Sequence, residues 1–170
     1  ALSACKYADV KRTQINAKPD FSTIAVKNFD INRYMGEWHE IARLDFFWEK
    51  NLKNVTATYT LEDDGSVEVD NKGFDYIKQK NKQSIGKAKF ASDPNRAALK
   101  VSFFGPFYSG YNVVKIDSEY KYALVFGENR DYMWILSREK TIPDEVRKDF
   151  LNLAQMNGYE TEKLVWTEQD

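Results

Sequence analysis

Two residue types that support much of protein chemistry each occur once in this chain of 170 residues, as Cys5 and His39. A single cysteine cannot form a disulfide within the chain. One cysteine and one histidine are also too few soft ligands for a structural zinc site, so we expect no metal. A Ser-His-Asp arrangement would have to use His39 as its general base.

His39 lies in a predicted β-strand directly after Trp38. Residues i and i+2 of a strand share a face, so His39 points the same way as Glu37 and Ile41 and away from Glu40. If Trp38 faces the interior, His39 is on the outer, solvated side. The sequence therefore predicts no enzyme, no resident cofactor and no haem ligand. An enzyme acting on a lipophilic substrate is the less favoured alternative.

The overall composition excludes two further classes of protein. The 25 Lys and Arg residues nearly balance the 26 Asp and Glu residues, which gives a formal net charge of −1. This balance provides no basic surface for nucleic acid, so we expect none as a partner. The chain also has 25 aromatic residues (4 Trp, 10 Tyr and 11 Phe), which is too many for a disordered chain.

Short runs of β-branched and aromatic residues, separated by turn signals, predict eight antiparallel strands. Asp64-Gly65 between two such runs is typical of a hairpin turn. Short connections favour an up-and-down order, and closure into a β-barrel removes exposed strand edges. The predicted strands span residues 38–43, 55–61, 67–71, 84–91, 98–104, 111–116, 120–126 and 132–137.

The periodicity then changes, and the sequence predicts one C-terminal helix. Thr141 is the expected N-cap, and Pro143 lies in the first turn. Apolar residues recur at helical spacing until Gly158 ends the helix. Residues 164–166 can form a last short strand. The predicted fold is all-β: an eight-stranded antiparallel up-and-down barrel with one α-helix packed outside.

Three segments carry a family resemblance. Residues 29–38, which end in Gly36-Glu37-Trp38, resemble the first lipocalin signature. The segment Asp117-Ser118-Glu119-Tyr120 resembles the second, and departs from its usual Thr-Asp-Tyr core at Ser118 and Glu119. Ser137-Arg138 resembles the third. The resemblance covers residues 29–170, the predicted lipocalin domain, and residues 1–28 are assigned to a separate leader and tether.

The resemblance implies structural roles for Gly36, Trp38 and Arg138. Trp38 would point inward at the base of the barrel, and Arg138 would lie across its ring. A cation over an indole face contributes about 0.5–2 kcal/mol. The remaining guanidinium donors can bond carbonyl groups of the incoming N-terminal turn. These three residues are therefore expected to close the barrel and not to bind a ligand.

Longer stretches, including residues 37–43, 98–108 and 131–138, resemble the bacterial lipocalins, which are outer-membrane lipoproteins that bind fatty acids and lysophospholipids. Leu2-Ser3-Ala4-Cys5 likewise resembles the end of a bacterial lipoprotein signal, in which the cysteine is acylated. We therefore expect an acyl anchor on Cys5, with residues 1–4 as a remnant of the signal. Lys6 follows where an Asp commonly causes inner-membrane retention, which favours the outer membrane, facing the periplasm.

Alternation along the strands predicts which side chains line the barrel lumen. A fatty acid or lysophospholipid would contact these side chains, and Glu40 is a candidate for its headgroup, although a structural role for Glu40 is favoured. Lys115 is a weaker candidate for the headgroup. The predicted ligand-binding residues are Glu40, Phe46, Phe47, Trp48, Ala57, Tyr59, Leu99, Val101, Phe103, Tyr108, Phe126, Tyr132, Trp134 and Leu136.

Aromatic residues also occur in two predicted loops, at residues 44–48 and 104–108. Both loops follow strands of the same direction, so they are expected at the same end of the barrel. We expect them to form an apolar rim that admits an acyl chain, and a homodimer contact is the alternative. Two other hypotheses remain: the aromatic residues fill the barrel, or the protein is a structural envelope lipoprotein.

Overall fold

The computed structural model describes residues 18–170, and it confirms the predicted fold class. Eight antiparallel strands follow one another with short connections, and a ninth short strand comes after the C-terminal helix. The strands are β1 (Gly36–Leu44), β2 (Leu52–Leu61), β3 (Val67–Asp75), β4 (Lys80–Phe90), β5 (Ala98–Phe104), β6 (Phe107–Ile116), β7 (Tyr122–Gly127), β8 (Met133–Ser137) and β9 (Leu164–Trp166).

The first strand closes the barrel because it pairs with strands on both sides. Trp38 lies opposite Ala57 of β2, and Glu40 lies opposite Leu136 of β8. The C-terminal end of β1 also pairs with β9, so the predicted short terminal strand is confirmed. Closure leaves the eight barrel strands with paired edges, which encloses an interior wide enough for side chains or one small ligand.

The long helix, α2 (Asp144–Met156), lies against the outside of the barrel, as predicted. Its Phe150 and Ala154 are buried in an apolar cluster with Met133 and Ile135 of β8. The helix N-cap is Pro143, without a side-chain cap bond, so the expectation that Thr141 caps it is wrong. Gly158 follows the C-cap with φ +86°, a conformation that favours glycine.

The two ends of the barrel differ. At one end, the short helix α1 (Ile31–Tyr34) covers the opening, and Asp30 caps it by accepting from the Asn32 amide at 3.1 Å. Two 3₁₀ turns, Phe21–Ile24 and Thr161–Lys163, complete the regular structure of the described chain. The loops after β1, β3, β5 and β7 lie at the other end, which we call the open end.

Within residues 18–170, no helix is long and apolar enough to cross a bilayer. The same residues contain no cluster of three or more His, Cys, Asp or Glu side chains that could hold a metal ion.

Candidate functional site

We call the end of the barrel that helix α1 covers the closed end. A cavity of about 340 Å³ lies inside the barrel, between the core at the closed end and the open end. This volume falls in the range of roughly 300–1,000 Å³ typical of small-molecule sites. Most of the predicted ligand-binding residues line it. These are Glu40, Phe46, Phe47, Trp48, Ala57, Tyr59, Val101, Phe103, Tyr132, Trp134 and Leu136.

Phe126 was predicted to face the lumen, and this prediction is wrong. Its ring packs on the outer side of the barrel, 5.0 Å from the Phe21 ring and 4.5 Å from the Tyr159 ring. Leu124 shares that outer face, whereas Val125 belongs to the interior core. Because helix α2 covers this face, β7 is apolar on both sides, and alternation alone does not distinguish inside from outside.

Two other predicted lining residues lie elsewhere. Leu99 points inward but is buried in the closed-end core with Trp38, below the cavity. Tyr108 lies on the opposite face of β6 from the cavity-lining Phe107, and Lys89 Nζ sits 4.4 Å from its ring centroid. Neither side chain therefore lines this cavity.

A β-bulge in β1 changes the expected alternation after Glu40. The register shifts between Glu40 and Ala42, so Ala42 packs in the outer cluster under α2 instead of facing inward. Arg43 is consequently buried, and its Nη1 lies 3.0 Å from Oε2 of Glu40. Strict alternation along a strand fails at a bulge because two residues oppose one.

The Glu40 carboxylate is held by protein groups. Besides the Arg43 contact, Thr167 Oγ1 donates to its Oε2 at 2.5 Å. Arg43 in turn donates from Nε to Asp45 Oδ1 at 3.0 Å and from Nη1 to the Leu52 carbonyl at 3.1 Å. Glu40 therefore borders the cavity as the partner of a buried arginine, which matches the structural alternative.

Glu49 is the second buried carboxyl group at the cavity, and alternation could not identify it because it lies in the loop after β1. Trp134 Nε1 donates to its Oε1 at 2.9 Å, and its Oε2 lies 3.6 Å from Arg43 Nε. Burial, reinforced by the neighbouring Glu40 carboxylate, raises the pKa of Glu49 well above its ordinary value. Burial thus disfavours the charged form of Glu49.

Three tyrosine hydroxyl groups meet at the bottom of the cavity. Tyr111 shares hydrogen bonds with Tyr34 at 2.5 Å and with Tyr59 at 2.7 Å. Burial raises the pKa of Tyr59 to about 12, so the phenol stays neutral at physiological pH. Tyr34 and Tyr111 were not predicted as site residues, because only the packing of α1 over the barrel brings them together.

The closed end has the arrangement implied by the family resemblance. Arg138 lies over the Trp38 ring, with Cζ 3.8 Å from the centroid. The guanidinium donates to the carbonyl groups of Arg33 at 2.8 Å, Glu37 at 3.0 Å and Tyr120 at 3.1 Å. Gly36 has φ +92°, and a Cβ there would meet Arg138 Nη1 at 3.4 Å.

The open end is lined by exposed aromatic side chains. Phe47 is 85% exposed, Phe104 73% and Phe107 77%, and all three border the cavity. We call these three residues the rim. The two aromatic segments, 44–48 and 104–108, thus lie at the same end of the barrel, as their strand directions predict. The second is not a loop as predicted, because Phe104 ends β5 and Phe107 begins β6.

The remaining candidates lie away from the cavity. His39 Nε2 is 3.5 Å from Glu37 Oε1, and His39 does not line the cavity. Lys115 is exposed, so it is not placed to contact a headgroup. Cys5 lies outside the residues that the structure describes.

The sequence matches the family model of a lipocalin-like domain over residues 29–169. The outer membrane lipoprotein Blc of Escherichia coli (strain K12) is 52% identical over 151 residues, which cover 89% of this chain and 85% of that protein. Temperature-induced lipocalin-1 of Arabidopsis thaliana is 36% identical over 154 residues, covering 85% and 81%.

Solved structures show the same fold at low sequence identity. Insecticyanin from the tobacco hornworm, Manduca sexta, superposes with a TM-score of 0.72 at 22% identity, covering 91% of this chain and 87% of that one.

Proposed function

The chain belongs to the lipocalin family, and from this premise we propose that it binds the acyl chain of a fatty acid or lysophospholipid inside the barrel. The cavity of about 340 Å³, which opens at an aromatic rim, is the main support for this proposal. Its wall combines aliphatic and aromatic side chains from β2, β5 and β8 with few polar groups, a composition typical of sites for apolar ligands.

The expected affinity comes from the apolar chain. Each buried methylene contributes about 0.8 kcal/mol before the cost of ordering the ligand. A chain of ordinary lipid length therefore needs few polar contacts to bind usefully. The open volume also favours a carrier over the alternative of a structural lipoprotein with a filled barrel.

We further propose that the protein is anchored to the outer membrane, facing the periplasm, by acylation of Cys5. Leu2-Ser3-Ala4-Cys5 supports this proposal. So do the relatives from Escherichia coli and Vibrio cholerae, both named outer membrane lipoprotein. Of residues 1–28, those before Phe21 would then serve as the leader remnant and tether, because Phe21 is buried against Phe126 in the outer cluster of the barrel.

The exposed rim also suits contact between two copies of the chain, so a homodimer remains the secondary proposal for this surface. The enzyme alternative has less support, because His39 lies away from the cavity.

Lipid binding is tested by titrating palmitate and a palmitoyl lysophospholipid while following tryptophan fluorescence. Trp134 lines the cavity, so Trp134→Phe should remove much of the saturable signal. Trp166 lies under Arg147 on the outside, at 3.8 Å, and Trp166→Phe is the matched control that should keep the signal. The absence of a saturable change with either lipid would refute the carrier proposal, and reaction products appearing over time would favour an enzyme.

The anchor is tested by mass spectrometry of the precursor expressed in bacteria with its native signal. We expect added acyl mass on Cys5, and loss of that mass together with membrane association in Cys5→Ser. An unmodified Cys5 in the wild-type protein would contradict the proposal.

A further inference from the structure

In the part of the chain that the structure describes, no protein group donates a hydrogen bond to Oε2 of Glu49, and the neighbouring Glu40 carboxylate can only accept from this group when Glu49 is protonated. The side chain is buried, with 5% of the residue exposed, and it lines the cavity. Among the described residues, its Oε2 and Nδ1 of His39 are the buried side-chain nitrogen and oxygen atoms without such a partner. Buried polar atoms are nearly always paired, so an unpaired one that faces a cavity indicates a place for a ligand group.

The neighbouring arginine does not hydrogen-bond this oxygen. Arg43 Nε lies 3.6 Å away, and it already donates to Asp45 Oδ1 at 3.0 Å. Its Nη1 is used by Glu40 and by the Leu52 carbonyl. Arg43 therefore faces three carboxyl groups, Glu40, Asp45 and Glu49, so the cluster favours a ligand that brings a positive charge or a donor.

Aromatic rings surround the same position. The Trp134 indole donates to Oε1 of Glu49 and stacks on the Tyr132 ring, with 6.3 Å between the ring centroids. The centroid of the Phe46 ring lies 5.7 Å from that of Tyr132 and 6.1 Å from that of Trp134. All three residues line the cavity. Ring faces attract cations, so these side chains favour a positively charged group over a carboxylate or phosphate.

We propose that Glu49 recognises the ammonium group of a single-chain lipid, whose N–H donates to Oε2 while the acyl chain extends toward the tyrosines at the closed end. This inference rests on the proposed lipid binding and adds a headgroup chemistry to it. The ligand would enter with its tail first, because Glu49 lies in the loop after β1 at the open end. Two ligand sources share this chemistry: a zwitterionic ethanolamine headgroup and a free long-chain amine.

Matched ligand pairs test the proposal by isothermal titration calorimetry. Hexadecylamine is compared with hexadecanol, and palmitoyl lysophosphatidylethanolamine with its N-acetylated form, which lacks the ammonium charge and keeps the negative phosphate. We expect the ammonium member to bind about tenfold more tightly, which corresponds to about 1.4 kcal/mol. A preference in only one pair identifies the source of the ammonium group, and equal affinities within both pairs would overturn the proposal.

The variant Glu49→Gln keeps the shape of the side chain and cannot become a carboxylate, so it should reduce the preference to about twofold or less while still binding hexadecanol. Glu68→Gln, an exposed acid on β3, is the control that should keep the tenfold preference. Glu49→Asp draws the carboxylate back by one methylene and should give an intermediate preference. This variant replaces Glu49→Gln in the test if the glutamine variant folds poorly. If both Glu49 variants keep the tenfold preference for the ammonium ligand, the assignment of the ammonium site to Glu49 is refuted.

The two proposals fail in different ways. If no ligand binds, including hexadecanol, the proposed lipid binding is wrong. If hexadecanol binds and the ammonium ligands show no preference, only the role of Glu49 is wrong.

Discussion

Arg138 offers the sharpest test of how the closed end is stabilised. Its guanidinium covers the Trp38 ring at 3.8 Å and donates to three carbonyl groups, those of Arg33, Glu37 and Tyr120. One side chain thus joins helix α1, the start of β1 and the turn before β7. The substitution Arg138→Met keeps an apolar stem over the indole and removes the charge and all three hydrogen bonds.

The expected loss follows from these contacts. The cation–π contact contributes about 0.5–2 kcal/mol. A hydrogen bond from a charged group contributes about 1.5–3 kcal/mol when buried, but the two terminal nitrogens of Arg138 bond in exposed positions, where water competes. We therefore expect a loss of about 2–4 kcal/mol, or about 4–16 °C in Tm for a domain of this size.

Thermal unfolding followed by circular dichroism measures this loss. Arg147→Met is the matched control, because Arg147 lies over the partly exposed Trp166 at the same 3.8 Å and should lose only about 0.5–1 kcal/mol. Arg138→Lys should be closer to Arg138→Met than to wild type, because one ammonium cannot bond three separated carbonyl groups. Equal Tm shifts for Arg138→Met and Arg147→Met would refute the reasoning.

Four further predictions concern the walls of the barrel. Phe126→Ala should cost about 3–5 kcal/mol in urea unfolding without changing lipid Kd, because the ring packs outside the cavity. Val101→Phe should leave the empty protein folded and weaken lipid binding at least tenfold in calorimetry, because the new ring occupies the cavity. Tyr111→Phe removes the hydroxyl shared by two buried phenols and should lower the unfolding free energy by about 1–3 kcal/mol. For Glu49, the raised pKa means that the folded state holds the proton more tightly than the unfolded state, so stability falls as pH rises from about 4.3 through the folded-state pKa. Glu49→Gln should therefore gain Tm relative to wild type at pH 8 and not at pH 4, and an equal difference at both values would contradict this sign.

The sequence was sufficient for the number and order of the strands because each strand has its own local signal, whereas β3, β4 and β6 each extend about four residues beyond their predicted bounds. Val55 to Leu61 is rich in β-branched residues, and Asp64-Gly65 marks the turn that follows; Gly65 indeed has φ +85°. The closing contact of Trp38 with Arg138 came from the resemblance of short motifs. These features depend on neighbours in the chain or on signature segments that the family shares.

The site was less predictable because it depends on geometry that the chain sets at long range. The bulge after Glu40 moved Arg43 inward, and helix α2 made the outer face around Phe126 as apolar as the interior. Glu49 reaches the cavity only because the loop after β1 folds back onto Trp134, which lies 85 residues later in the chain. The two-residue alternation of a β-strand predicts none of these three features.

The central claim is that the barrel encloses one acyl chain. Native mass spectrometry of the protein purified from a bacterial envelope tests it most directly, with the bound molecules released and identified. We predict one single-chain lipid per protein chain, strongly reduced in Val101→Phe and unchanged in Phe126→Leu. A wild-type protein that carries no lipid, and that binds none when palmitate or lysophospholipid is added, would contradict the claim.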